Sequence, residues 1–187
     1  MAHGPDEAAL TLLRRRDPRG FDLVYGAYAA RVRSFVLRLS GRADVADDLL
    51  QHTFLRLAER GPDLRADSDL RAWLFTVARN AYLGQVRAQR VAVDAAALES
   101  LASPADDVEA RLALGDVEHA LSRLRLEDRE LLLLVGVEGM EPVQVAAMLG
   151  VDAATVRQRL ARARSRLSCE LERRSTSGDS PKKATVQ

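Results

Sequence analysis

The stretch 143–167, VQVAAMLGVDAATVRQRLARARSRL, constrains this chain more than any other, because it reads as two helices joined through a single turn. Pro142 suits the first position of a helix, where no backbone N–H is needed, and Glu141 stands just before it. Val145, Ala146 and Leu149 give that helix a buried stripe. Gly150 can end it in the left-handed conformation, Val151 can plug the corner, and Asp152 can cap a second helix starting near Ala153. At about 100° per residue, Val156, Leu160, Ala163 and Leu167 share one face and must pack inward. Gln158, Ala161, Arg162 and Ser165 then face outward, with Arg157 and Arg164 along one flank and Arg159 and Arg166 along the other. From Arg157 to Arg174 seven arginines stand against Glu170 and Glu172, a net +5 in a chain whose total is +1. A solvated face has no need of such concentration. The pattern predicts a helix that enters a DNA groove, with outer side chains near base edges and flanking guanidinium groups on phosphates.

The composition, 47% hydrophobic but only 4% aromatic, comes from Ala, Leu and Val and suits helices on aliphatic cores. Strand signals are nearly absent. Cys169 is the only cysteine, so neither an intrachain disulfide nor a cysteine-based zinc site is expected. His3, His52 and His119 are scattered, and neither a metal nor a cofactor is expected. No Gly-rich phosphate loop or grouped metal set supports an enzyme. No apolar run approaches the roughly 20 residues needed to cross a bilayer, so no membrane insertion and a cytoplasmic location are expected.

Residues 91–110 contain Asp94, Glu99, Asp106, Asp107 and Glu109 with no lysine or arginine, and read as an acidic flexible linker. The expected organisation is an N-terminal extension (1–17), a first domain (18–90), the linker, a second domain (111–174) and a disordered tail (175–187). The fold class is all-α. In the first domain Phe21, Val24, Tyr25, Tyr28, Val32, Phe35, Val36 and Leu39 mark an amphipathic helix that Gly41 can end. Asp44 can cap a second helix with Ala46, Leu50, Thr53, Phe54 and Leu57 inward and Asp47, Asp48 and Gln51 outward. After a polar loop at 61–69, Leu70, Trp73, Leu74, Val77 and Ala81 form the inner stripe of a third helix, completing a three-helix bundle. In the second domain Val117, Ala120, Leu121 and Leu124 mark one helix. Residues 129–135 mark another that is apolar almost all round and must be buried on several sides.

Three segments, ADDLLQHTFL at 46–55, RAWLFTVARN at 71–80 and TVRQRLARAR at 155–164, occur in this order around the acidic linker. Together they resemble the bacterial extracytoplasmic function (ECF) sigma factors, over about residues 20–170. The resemblance implies sigma domains two and four without a third between them, and a protein that binds core RNA polymerase and directs it to promoter DNA. It places Asp47, Asp48 and Gln51 on the clamp helices of the largest polymerase subunit, and it implies the flap of the second-largest subunit as a further contact. The loop residues Leu64, Arg65 and Asp67 and the helix residue Asn80 would capture a flipped −10 base, with Arg79, Arg87 and Arg90 on the upstream backbone. Arg157, Gln158 and Arg162 would read the −35 element, supported by Thr155, Arg159, Arg164 and Arg166. An anti-sigma factor enters as a candidate regulator. The chain departs from the family pattern at Gly84, where an acidic residue is frequent, at Leu126, where proline is common, and at Gln158, where serine is frequent. Gly84 is expected to loosen its helix end. The competing reading is a stand-alone helix-turn-helix regulator that binds an operator without polymerase.

Overall fold

The computed structural model describes residues 4–96 and 115–178, and every regular element among them is helical. The chain divides into two compact units, 1–110 and 111–187.

The first unit is built on α2 (Pro18–Ser40), α3 (Ala43–Arg60) and α4 (Leu70–Ala96). α2 begins where the Asp17 carboxylate accepts from the Arg19 N–H at 3.0 Å, and it ends at Gly41, whose φ of 70° is the left-handed cap expected. Its inward stripe, Val24, Tyr28, Val32, Phe35, Val36 and Leu39, is buried. The α3 stripe is Ala46, Leu49, Thr53, Phe54 and Leu57, so Leu49 takes the core place expected of Leu50, which is half-buried. Asp44 lies inside the first turn of α3, ion-paired to Arg42, and is not the cap. On α4 the buried residues are Leu70, Leu74, Phe75 and Ala78, while Trp73, Val77 and Ala81 are half-buried. The stripe is turned because Phe75 meets Phe35 edge to face, with centroids 5.2 Å apart. α4 runs unbroken through Gly84 and on to Ala96, into the segment expected to be linker.

Within residues 1–17 lies a fourth helix, α1 (Gly4–Arg14), which packs on α2 and on the short 3-10 turn Gly61–Asp63. Ala9, Leu10 and Leu13 are buried. The Tyr28 hydroxyl donates to Asp6 at 2.7 Å, and burial together with that carboxylate pushes the phenol well above its ordinary value, keeping it a neutral donor.

The second unit begins with α5 (Asp116–Arg123), where Ala120 and Leu121 are buried but Val117 is exposed. The Arg129 guanidinium closes this helix by donating to the carbonyls of Leu121 (2.9 Å), Ser122 (2.6 Å) and Leu124 (3.2 Å). α6 (Leu126–Leu131) widens into a π-helical turn, Leu132–Val137. Four successive leucines, 131–134, are buried, as an all-round apolar helix requires. The widened turn lets the Glu138 N–H reach Leu133 O at 2.9 Å before Gly139 reverses the chain at φ 64°. α7 (Pro142–Leu149) and α8 (Ala153–Gly178) complete the unit, so residues 175–178 continue a helix where a tail was expected. The linker residues 97–110 and the tail residues 179–187 lie outside the described residues.

Candidate nucleic-acid interface

The corner between α7 and α8 forms as its residues dictate. The Glu141 N–H donates to Gln144 Oε1 at 2.8 Å, Pro142 occupies the first turn, and Gly150 ends α7 at φ 67°. The Asp152 carboxylate then accepts from the Thr155 N–H at 2.7 Å and from its hydroxyl at 2.6 Å. These bonds hold the Asp152 carboxyl below its usual range. They also fasten Thr155 to the helix cap.

Beyond the cap, Val156, Leu160 and Ala163 are buried and Leu167 is half-buried, as are Leu149 and Val151 before the cap. Arg157, Gln158, Arg159, Arg162 and Arg164 are all exposed, as the helical wheel predicts. Arg166 is exposed as well, but unlike the others it is paired. Its guanidinium is ion-paired with Asp128 of α6, 38 residues earlier, so it acts as a tie between helices in this structure and leaves the row of unpaired cations. The Asp128 side chain is 10% exposed and that of Arg166 49%. Removing Arg166 strands a nearly buried carboxylate, but the half-exposed partner keeps water close. Arg166→Ala is therefore expected to cost about 2 kcal/mol, below the range for a fully buried pair. Urea unfolding of the full chain checks this, and unchanged stability would return Arg166 to the DNA-facing set.

In the first unit the 61–69 loop starts at the 3-10 turn and ends where the Asp69 carboxylate caps α4, accepting from the Ala72 N–H at 2.9 Å. Leu64 is half-buried, whereas Arg65 and Asp67 are exposed and form a forked pair with both N–O distances at 3.0 Å. Asn80 is exposed on α4, and its side-chain oxygen accepts from Arg79 at 3.2 Å. Arg87 is exposed one turn beyond Leu83, to whose carbonyl its Nε donates at 3.3 Å. The Arg90 side chain lies outside the described residues.

Asp47, Asp48 and Gln51 are exposed along α3. Asp47 is bound by Arg33 of α2, at 2.6 Å from Nε to Oδ1, and that guanidinium holds its carboxyl below the usual range. Beside them lies a feature absent from the sequence reading, an open groove of 370 Å³ lined by Phe21, Tyr25, Leu50, Phe54, Leu55 and Ala58 and edged by Asp47 and Gln51. Tyr25 and Leu55 are 45% and 59% exposed. Leu55, an apolar residue away from the buried stripe of α3, was the available signal. Among the described residues no helix is long and apolar enough to cross a membrane, and no cluster suited to a metal ion is found.

The chain thus consists of two helical units, one of them carrying a helix-turn-helix with an arginine-edged outer face. Residues 24–91 match Sigma-70 region 2 and residues 114–167 match Sigma-70, region 4. The ECF RNA polymerase sigma factor EcfG of Rhodopseudomonas palustris is 38% identical over 143 residues, covering 75% of this chain and 78% of that protein. The ECF RNA polymerase sigma factor SigL of Mycobacterium tuberculosis is 34% identical over 144 residues, covering 73% and 80%. Among solved structures, the sigma factor RpoE of Bartonella quintana, in complex with the anti-sigma factor NepR, aligns with a TM-score of 0.69 at 31% identity, over 81% of this chain and 96% of that one. CnrH, in complex with the cytosolic domain of CnrY, shares the fold with a TM-score of 0.71 at 23% identity, over 95% and 100%. The chain belongs to the ECF sigma factors.

Proposed function

We propose that this chain is an alternative, promoter-specificity subunit. It joins core RNA polymerase through the α2–α3 face and brings the enzyme to promoters by a two-point grip. Arg157, Gln158 and Arg162 read the −35 element, with Thr155, Arg159 and Arg164 near the backbone. The loop residues Leu64, Arg65 and Asp67, with Asn80, trap an unstacked −10 base, and Arg79, Arg87 and Arg90 hold the adjoining strand. An amide such as that of Asn80 offers both a donor and an acceptor to a base edge. Trapping unstacked bases drives strand opening, at a cost of a few kcal/mol per base.

The observation that carries this reading over a stand-alone regulator is the exposed apolar groove edged by Asp47 and Gln51. A repressor that needs only its helix-turn-helix has no use for it. The fitting occupants are the clamp helices of the largest polymerase subunit, while the second unit meets the flap of the second-largest. Run-off transcription with cognate core polymerase, with and without this chain, tests the reading. Tight binding to DNA alone, with no initiation by core enzyme, would favour the stand-alone regulator.

Arg162→Ala is expected to weaken −35 recognition by ~1–3 kcal/mol if the side chain reads a base edge. Competition between cognate and scrambled −35 duplexes checks it. An equal loss on both would make Arg162 a phosphate contact. The similarity to RpoE, solved with an anti-sigma factor, also supports an anti-sigma protein as the regulator of this chain. Copurification of such a protein tests that, and a chain active under all growth conditions would oppose it.

A further inference from the structure

The sequence Arg14-Arg15-Arg16 closes α1 and belongs to none of the surfaces above. All three side chains are exposed. α1 brings them to a particular corner, because Leu13 packs against Gly61, where an added Cβ would lie 3.2 Å from Leu13 Cδ2. Gly61 opens the 61–69 loop, and Arg60 just before it is also exposed. The two helix ends thus deliver Arg14, Arg15, Arg16 and Arg60 beside the loop that carries Arg65.

Local carboxylates do not neutralise this cluster. Asp17 is bound by Arg19, Glu59 by Arg56 and Asp67 by Arg65, and Asp63 is the remaining acid of the loop entry. A helix dipole is served by one cation in the last turn, whereas here three follow in succession. The backbone adds an independent sign. Arg16 has φ 58°, a left-handed conformation that no other non-glycine residue shares among the described residues, at a helix end where glycine or asparagine is the ordinary occupant.

We propose that Arg14, Arg15 and Arg16, together with Arg60, bind the sugar-phosphate backbone of the DNA strand whose bases enter at the 61–69 loop. The inference rests on the −10 reading of that loop. Guanidinium forks match phosphate oxygens in pairs, and exposed, unpaired arginines meet a strand with little desolvation cost. The cluster makes no base contact, so it strengthens capture of any sequence the loop accepts.

The test is a salt titration of holoenzyme with a single-stranded oligonucleotide carrying the −10 sequence, read by fluorescence anisotropy. R14A/R15A/R16A is expected to make the plot of log affinity against log salt less steep by about 2, the loss of three single-strand phosphate contacts. R14K/R15K/R16K, which keeps the charge, should retain most of the slope. A triple-alanine variant that melts like the parent, binds core polymerase normally and keeps the full slope would overturn the proposal. Loss of core binding would overturn it too, making the corner a polymerase contact. Failure of the parent holoenzyme to prefer the −10 oligonucleotide over a scrambled one would sink the −10 reading alone. The slope comparison on the scrambled strand still decides the phosphate surface, because phosphate contacts do not depend on sequence.

Discussion

Asp48→Arg is expected to abolish binding to core RNA polymerase, and with it run-off transcription, while leaving the chain folded. Asp48 is exposed on α3 next to Asp47, which edges the apolar groove, and the substitution reverses its charge on that helix. A like-charge juxtaposition inside a protein interface costs several kcal/mol, enough to erase a complex of ordinary affinity. The neighbouring Asp47 makes a poorer probe, because its loss also breaks the pair with Arg33 of α2 and mixes a structural change with the functional one. Exposed substitutions away from packing features usually shift stability by less than about 0.5 kcal/mol, so the variant should melt with the parent. Core polymerase immobilised in a pull-down, with the melting curve in parallel, gives both readouts. Retained binding would remove α3 from the docking surface.

The turn between α7 and α8 was legible in advance because its signals are local. Pro142, Gly150 and Asp152 each act within one turn of chain, and the outward set of α8 follows from a helix phase anchored by Val156, Leu160 and Ala163. The phases of α3 and α4 were less legible. Leu49 and Leu50 are adjacent and equally apolar, and only the partner helices decide that Leu49 faces in. Likewise the Phe35–Phe75 contact turns α4 so that Trp73 sits at the margin of the core. Arg166 looked like one more cation on an outer flank, because its partner Asp128 lies on a different helix and no periodicity connects the two. The groove beside Asp47 escaped for the same reason, since Phe21 and Tyr25 of α2 close a wall that is otherwise built from α3.

The helix α1 was hidden more deeply, since its seat on α2 is a glycine, and that seat yields the second large effect expected. A Cβ at Gly20 would stand 2.6 Å from Leu13 N, 2.9 Å from Leu12 Cβ and 3.0 Å from Ala9 O. Two of those atoms are backbone, so the clash cannot be relieved by a rotamer and α1 must move as a body. Gly20→Leu is therefore expected to lift α1 from α2, surrendering the burial of Leu10 and Leu13 and the bond from Tyr28 to Asp6. Burying a leucine contributes ~1.5–3 kcal/mol, so the first unit should lose about 3 kcal/mol or more. A fall in the urea midpoint and faster hydrogen exchange at residues 9–14 would report it, and unchanged protection there would mean that α1 does not depend on this seat. The same variant separates position from charge at the DNA corner. R14A/R15A/R16A removes the three cations at the end of α1 while the helix stays protected, whereas Gly20→Leu keeps those cations and displaces them. A flattened salt dependence in both variants requires that the arginines act from the place α1 gives them, beside the 61–69 loop.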